Sequence, residues 1–260
     1  MLGNIFENWP TWLSRWFGYR SPDATPPSRT NYVVWIWSFI GAFGGLSVLQ
    51  AVFTNAEYFL QRKVPPIIAS YGASAVLVYG AIESPLAQPR ALLGGHFIAS
   101  LIGVSITKLF SLLHNEQRFD ELRWLAGSLS TATAIVVMQI TETTHPPAGA
   151  SALLAAVSPE ITDLGWYYLP VILLSSALVL AVALIVDNIQ RRYPLFWFVP
   201  TPPPKEHIAP GLETPLGEES VIIAQMDKDV QTTLPLHRPH LPHLHPSHIQ
   251  QSVIEKAQDI

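Results

Sequence analysis

Cysteine is absent from the 260 residues, so neither a disulfide frame nor a thiolate metal site can form, and the redox compartment cannot be read from the chain. Charge is scarce as well. Only 13% of residues are Asp, Glu, Lys or Arg, about half the usual globular share, while 49% are apolar. The few charges crowd the two ends and are sparse between Val33 and Val186, so the middle is more apolar than the average implies. The net charge is −4 and no basic run of five or more residues occurs, which leaves no electrostatic footprint for nucleic acid. The amino terminus lacks the charged stretch, apolar core and small-residue cleavage site of a removable signal peptide, so the first hydrophobic segment is expected to stay.

What the chain does have is a series of apolar runs. A spanning helix needs about 20 mostly apolar residues. Residues 32–53 meet that length, with Arg29 before them and Glu57, Arg62 and Lys63 after. Residues 67–79, opened by Pro65 and Pro66, are too short for a comfortable crossing and read as a half-helix or re-entrant segment. Residues 91–113 form a second full run, with glycines at 94, 95 and 103 and serines at 100 and 105 that suit close helix packing. After charged residues 115–123, residues 124–140 give a third long run. Thr144, His145, Pro146 and Pro147 then open a short run to Val157, and residues 166–186 give the last span before Asp187, Arg191 and Arg192.

Each half therefore reads long, short, long. Gly72-Ala73-Ser74-Ala75 follows the first proline pair and Gly149-Ala150-Ser151-Ala152 the second, with four more residues between prolines and glycine in the first copy. The expected fold is an all-α membrane protein: four full transmembrane helices plus two short Pro-Pro-initiated half-helices, up to six segments in a two-fold internal repeat. Crossing short segments would make the halves inverted copies, and re-entrant ones parallel copies. The domains are a cytosolic or interfacial segment (1–30), a transmembrane domain (31–192) and a disordered Pro/His-rich tail (193–260). Trp9, Trp12, Leu13, Trp16 and Phe17 recur at near-helical spacing, as in a short helix at the headgroups. Arg15, Arg20, Arg29, Arg191 and Arg192 favour cytosolic termini. The tail histidines 237, 240, 243, 245 and 248 have no fixed geometry and read as a solvated low-complexity stretch.

A helix that starts inside a membrane exposes unpaired N–H groups and a positive pole, and proline is favoured at that start. Pro65-Pro66 and Pro146-Pro147 thus predict two half-helix N-termini facing one another around a substrate, a common pattern in transporters. Glu142 and His145, three residues apart, form a candidate proton relay on one helical face. Gln88, Arg90 and His96 converge before and inside the next long run, where Arg90 could hold an anion. Gly149, Ser74 and Ser151 line the small-residue cores.

Thr144-His145-Pro146-Pro147-Ala148-Gly149-Ala150, with residues 84–90 (Ser-Pro-Leu-Ala-Gln-Pro-Arg) and Gly94-Gly95-His96, resembles the signatures of the HPP family, named for its His-Pro-Pro motif. The resemblance covers residues 32–192 and leaves out the tail. It implies an integral membrane protein usually described with four spanning helices, and it implies anion permeation, since some members in chloroplasts and cyanobacteria are assigned to nitrite transport. The motif positions carried over are His145, Pro146 and Pro147, then Gln88, Pro89, Arg90 and His96.

The reading is a multi-pass, non-enzymatic transporter or channel-like protein for a small inorganic anion, nitrite among them. It expects no cofactor, metal or catalytic residue, and as partners the lipid bilayer, the anion and further copies in a homo-oligomer. One rival is an intramembrane metal-binding enzyme, because Glu142-x-x-His145 has the spacing of di-iron bundles, with His96 and Glu83 as further ligands. Another is a membrane scaffold with an interaction tail.

Overall fold

The computed structural model describes residues 9–20, 30–113 and 116–199. The first eight residues, Arg29 and the chain from Pro200 onward, with its histidines, lie outside the described residues. Regular structure among the described residues is helical: α1 Thr11–Ser14, α2 Asn31–Asn55, α3 Glu57–Leu60, α4 Ser70–Ala75, α5 His96–Phe110, α6 Glu116–Ile140, α7 Pro146–Val157, α8 Pro159–Leu164 and α9 Tyr168–Gln190. A π-helical turn over Val76–Gly80 continues α4, and another over Arg90–Gly95 leads into α5.

Among the described residues three helical stretches are long and apolar enough to cross a bilayer: Asn31–Asn55, Arg90–Phe110 and Pro159–Gln190. Helix α6 matches α2 at 25 residues, but Arg118, Asp120, Glu121 and Arg123 crowd its first two turns. Length and composition therefore support three full spans, not the four expected. Helix α2 buries Gly41, Gly45, Leu49 and Phe53 and turns Trp35, Phe39 and Phe43 outward, each at least 65% exposed. Such an aromatic stripe is costly in water and at ease in lipid.

Contacts at the two ends of the bundle fix the direction of every segment. At the first end, Ser38 near the start of α2 donates to the Tyr79 carbonyl (2.9 Å), which also accepts from Arg191 just past α9 (2.9 Å). Tyr193 donates to the Ala87 carbonyl there (2.6 Å), and Arg90 to the Thr141 carbonyl (2.6 Å). At the second end, Arg62 lies over the rings of Tyr58 and Tyr167 just before α9, and Arg123 donates to the Ala156 carbonyl (3.2 Å) and to Thr162. The 23 residues of α9 separate these ends by about 35 Å. Residues 64–80 thus run from the second end to the first, and residues 141–157 from the first to the second. Both short segments pass through, each part helix and part irregular chain, so the described chain makes six passages and its halves thread in opposite senses.

The halves also exchange helices. Alpha-helices α2, α4 and α9 pack as one triad around Leu49, Phe53, Tyr71, Val78, Ile172 and Val179. The second triad, α5, α6 and α7, closes over Ala99, Ala134, Met138, Ala148 and Ala152. Each half's second long helix therefore lies against the other half's first two segments. Small residues permit this: a Cβ on Gly103 of α5 would stand 2.7 Å from the Ala152 carbonyl oxygen and 2.9 Å from the Ala155 Cβ of α7. Gly103→Val is expected to cost about 2–3 kcal/mol, read as a lower unfolding temperature of the detergent-purified protein.

Two boundaries differ from expectation. Pro65 and Pro66 do not open a helix, because α4 starts at Ser70 and the four extra residues of the first copy belong to the irregular lead-in. Pro146 and Pro147 do occupy the first turn of α7. The folded unit also continues past Arg192, where Tyr193 is fully buried, the Leu195 amide donates to Gln88 Oε1 (2.8 Å) and the Trp197 indole donates to the Phe17 carbonyl (3.1 Å). The aromatic N-terminal segment docks here too, with Arg15 on the Ile189 carbonyl (2.8 Å) and Arg20 on the Arg191 carbonyl (2.9 Å).

Candidate functional site

Where α4 and α7 meet, five polar side chains join in one line inside the protein. Ser74 Oγ lies 2.8 Å from His96 Nε2 and 2.9 Å from His145 Nε2. The other nitrogen of His96, Nδ1, is 2.9 Å from Ser151 Oγ, and the Ser151 hydroxyl donates to Ser70 Oγ (2.8 Å). At the opposite end His145 Nδ1 lies 2.8 Å from the Leu86 carbonyl oxygen, which can only accept, so that nitrogen carries a hydrogen. Ser74, His96, His145 and Ser151 are fully buried and Ser70 nearly so. Tyr71 stacks on the His96 ring at 4.6 Å and sends its hydroxyl to the Ile172 carbonyl (2.7 Å), while Tyr168 donates to the Ser151 carbonyl (3.2 Å).

The local chain explains the convergence. The π-helical turn ahead of His96 adds a residue to the turn and resets the face on which the imidazole emerges. Gly95 lets residues 143–145 approach, since a Cβ there would stand 2.6 Å from the Thr143 carbonyl oxygen and 2.8 Å from the His145 Cβ. Ser74 and Ser151 occupy the same place in the repeated Gly-Ala-Ser-Ala, so one imidazole is held at both nitrogens by repeat-related hydroxyls. His145 has no such counterpart: the spacing of the two serines, 151 − 74 = 77 residues, leads back from it to Ile68.

Of the residues singled out in the sequence, Ser74, His96, His145 and Ser151 meet in this line, with Pro147 buried at the foot of α7. The others stand elsewhere. Pro65 and Pro66 lie in the lead-in to α4, and Pro146 and Gly149 line an apolar groove with Thr131, Ile135 and Met138. Gln88 braces the first end, its amide donating to the Ile82 and Ser84 carbonyls (both 2.9 Å). Arg90 pairs with Glu142 at 3.1 Å, the latter 74% exposed, and also ties down the Phe198 carbonyl (2.9 Å). Glu142 and His145 share no helical face, because α6 ends at Ile140 and Glu142 takes a left-handed conformation (φ 53°). With Glu142 at the rim and Glu83 exposed, neither carboxylate joins the two histidines, and no group of three metal-ligating side chains occurs among the described residues.

Part of each expected amide pole is already engaged. Pro146 and Pro147 have no N–H, and the Ala148 amide donates back to the His145 carbonyl (2.8 Å). In α4 the Tyr71 and Gly72 amides donate to the Ile68 and Ala69 carbonyls (2.9 and 3.1 Å). Imidazoles and hydroxyls supply the polar groups instead. Ser70, Tyr71, Tyr168 and the Leu86 carbonyl were missed; the only sequence signal was that Ser70 and Ser74 are four apart. A second buried feature was read as a membrane edge. Asp187 (0% exposed) and Arg191 (4%) form an ion pair at the first end, and Arg191 also donates to Ser38 Oγ (3.2 Å).

The sequence model of a family described as HPP, transmembrane region, matches residues 27–194. A transmembrane protein of Dictyostelium discoideum is 34% identical over 190 residues, 72% of this chain and 63% of that protein. A second from the same organism is 38% identical over 165 residues, 62% of this chain and 50% of its own length. The chain thus spans between half and about two thirds of these relatives. No solved structure matches it.

Proposed function

The chain belongs to the HPP transmembrane family and is an integral membrane protein, and from its buried core we propose that it is a transporter for a small inorganic anion, nitrite among them, held at the Ser74–His96–His145–Ser151 line. The observation that carries this reading is where that line sits: at the meeting of two interrupted segments that pass in opposite directions. Polar groups at such depth are costly to keep without a task, and paired broken helices at equivalent places in inverted halves are how transporters build a midplane site. The chemistry favours an anion, because the line offers hydroxyl and imidazole N–H groups and none of its hydrogen-bond partners is a carboxylate. The side chains bond directly to one another, so substrate enters as the two triads part and these bonds are exchanged for bonds to the anion.

The full chain reconstituted in liposomes and offered nitrite, nitrate, chloride and formate is expected to take up at least one of them. Ser151→Ala, which strips one hydrogen bond from His96, should slow that uptake about tenfold, the equivalent of about 1.4 kcal/mol. Truncation after Pro200 should leave it intact. No uptake of any of the four, or uptake lost on truncation and indifferent to Ser151, would overturn the proposal and favour the scaffold reading.

A further inference from the structure

The hydrogens along the buried line can be counted. Its five links run Leu86 carbonyl, His145, Ser74, His96, Ser151, Ser70. Leu86 only accepts, so His145 Nδ1 must carry a hydrogen. In one arrangement Ser151 donates to Ser70 at the far end, which spends the single Ser151 hydrogen, so there His96 Nδ1 carries one as well. Between the two rings stands Ser74, with one hydrogen and two facing Nε2 atoms. It satisfies one of them, and the other must itself be N–H. In this arrangement one imidazole is protonated on both nitrogens. The longer approach of Ser74 to the Ser70 carbonyl (3.3 Å) offers no escape, since diverting the Ser74 hydrogen there would demand a second excess proton.

The line has a second complete arrangement. If the Ser70 hydroxyl turns to donate to Ser151, then Ser151 donates to His96 Nδ1, His96 Nε2 to Ser74 and Ser74 to His145 Nε2, while His145 Nδ1–H stays on the Leu86 carbonyl. All five links are then made with both rings neutral. The two arrangements differ by one proton, so moving between them takes one proton into or out of the line, with hydroxyl rotations and hops along bonds of 2.8–2.9 Å redistributing it. The groups packed around the line add no charge to it. Tyr71 of α4 and Tyr168 of α9 are phenols donating to carbonyls, and the Arg90–Glu142 ion pair is closed on itself at the first end. A cation in that setting lacks a counter-charge, and an unpaired buried charge is strongly disfavoured.

We infer that the Ser70–Ser151–His96–Ser74–His145 line takes up a single proton together with its anion, making the transported unit electrically neutral. This rests on the transport reading above and adds the coupled ion and its ratio. An arriving anion supplies the missing counter-charge, and the proton moves onto an imidazole nitrogen lone pair. Departure of the anion leaves the imidazolium unpaired and expels the proton by the same route, His145 with its Leu86 contact being the end nearest the loop of residues 84–90. No bond other than N–H and O–H is made or broken, and one proton enters and leaves for each anion.

Two measurements on the full chain in liposomes test this, with nitrite as probe and protein-free liposomes as the background for nitrous acid. Internal acidification should accompany uptake at one proton per nitrite, and an imposed potassium diffusion potential should leave the rate unchanged within twofold. In 15N-histidine spectra, nitrite should convert one imidazole per chain from neutral to doubly protonated. Ser70→Ala removes the acceptor of the protonated arrangement, so its uptake–pH profile should move at least one unit toward acid, and Ser70→Thr should move it back. Nitrite uptake that follows the potential without acidification, with both imidazoles neutral throughout, overturns the inference and leaves the transport reading standing. If no anion of the panel moves, the transport reading itself falls and the coupling falls with it.

Discussion

His96→Ala is expected to abolish anion uptake, by at least a hundredfold, and to cost about 3–5 kcal/mol of stability. The ring is fully buried, is held at both nitrogens and carries the stacked Tyr71. Alanine in its place opens a cavity and leaves the buried hydroxyls of Ser74 and Ser151 each short of a partner. His96→Gln, which keeps polar atoms near both serines, should recover much of the stability and little of the uptake. That split would separate the ring's structural share from its chemical one. Uptake in His96→Ala within threefold of the parent, with folding confirmed by size exclusion, would show that the line is only packing.

The second large effect is expected at the opposite kind of polar feature. Asp187→Ala strips Arg191 of its carboxylate while the guanidinium stays 4% exposed between α9, the Tyr79 carbonyl and Ser38. Breaking one side of a buried pair costs about 3–5 kcal/mol, mostly the expense of the stranded charge, whereas replacing both members with apolar groups of similar volume is often neutral. Asp187→Leu with Arg191→Met should therefore unfold closer to the parent than Asp187→Ala does. The thermal unfolding of the three purified proteins checks this ordering. The reverse ordering would mean that Arg191 reaches solvent, and its position as the tie between α9, α2 and the end of the α4 segment would need another account.

Much of the fold was legible in the apolar runs. The long, short, long rhythm and the repeated Gly-Ala-Ser-Ala pointed to two related halves, and the glycines at 95 and 103 do lie where chains press together. Within the site, His96, His145, Ser74 and Ser151 could be picked out because a polar residue deep in an apolar run needs a reason. The partners of these four could not. Which face of α5 carries His96 depends on a π-helical turn that composition does not announce, and the link to Ser70 depends on α4 starting at that residue and not at the prolines. Glu142 misled because its spacing from His145 is helical while the backbone between them is not. Asp187 and Arg191 misled because charges flanking apolar runs normally mark the bilayer edge, yet here both are buried, and Arg90, expected to hold an anion, is committed to Glu142 and two carbonyls.

The exchange of helices between the halves decides which pieces can swing as rigid bodies. One block is α2, α4 and α9, the other α5, α6 and α7, and among the described residues the polypeptide passes from block to block only twice. Those two passages are residues 81–89 at the first end and residues 158–167, containing α8, at the second. Any rocking that opens the core to one side of the membrane or the other must be absorbed by these two pivots, one on each surface. In the proposed transport cycle the Ser-Pro-Leu-Ala-Gln-Pro-Arg stretch is one of the two elbows, and because the Leu86 carbonyl that fixes His145 is mounted on it, a tilt of the blocks would alter the grip on that imidazole.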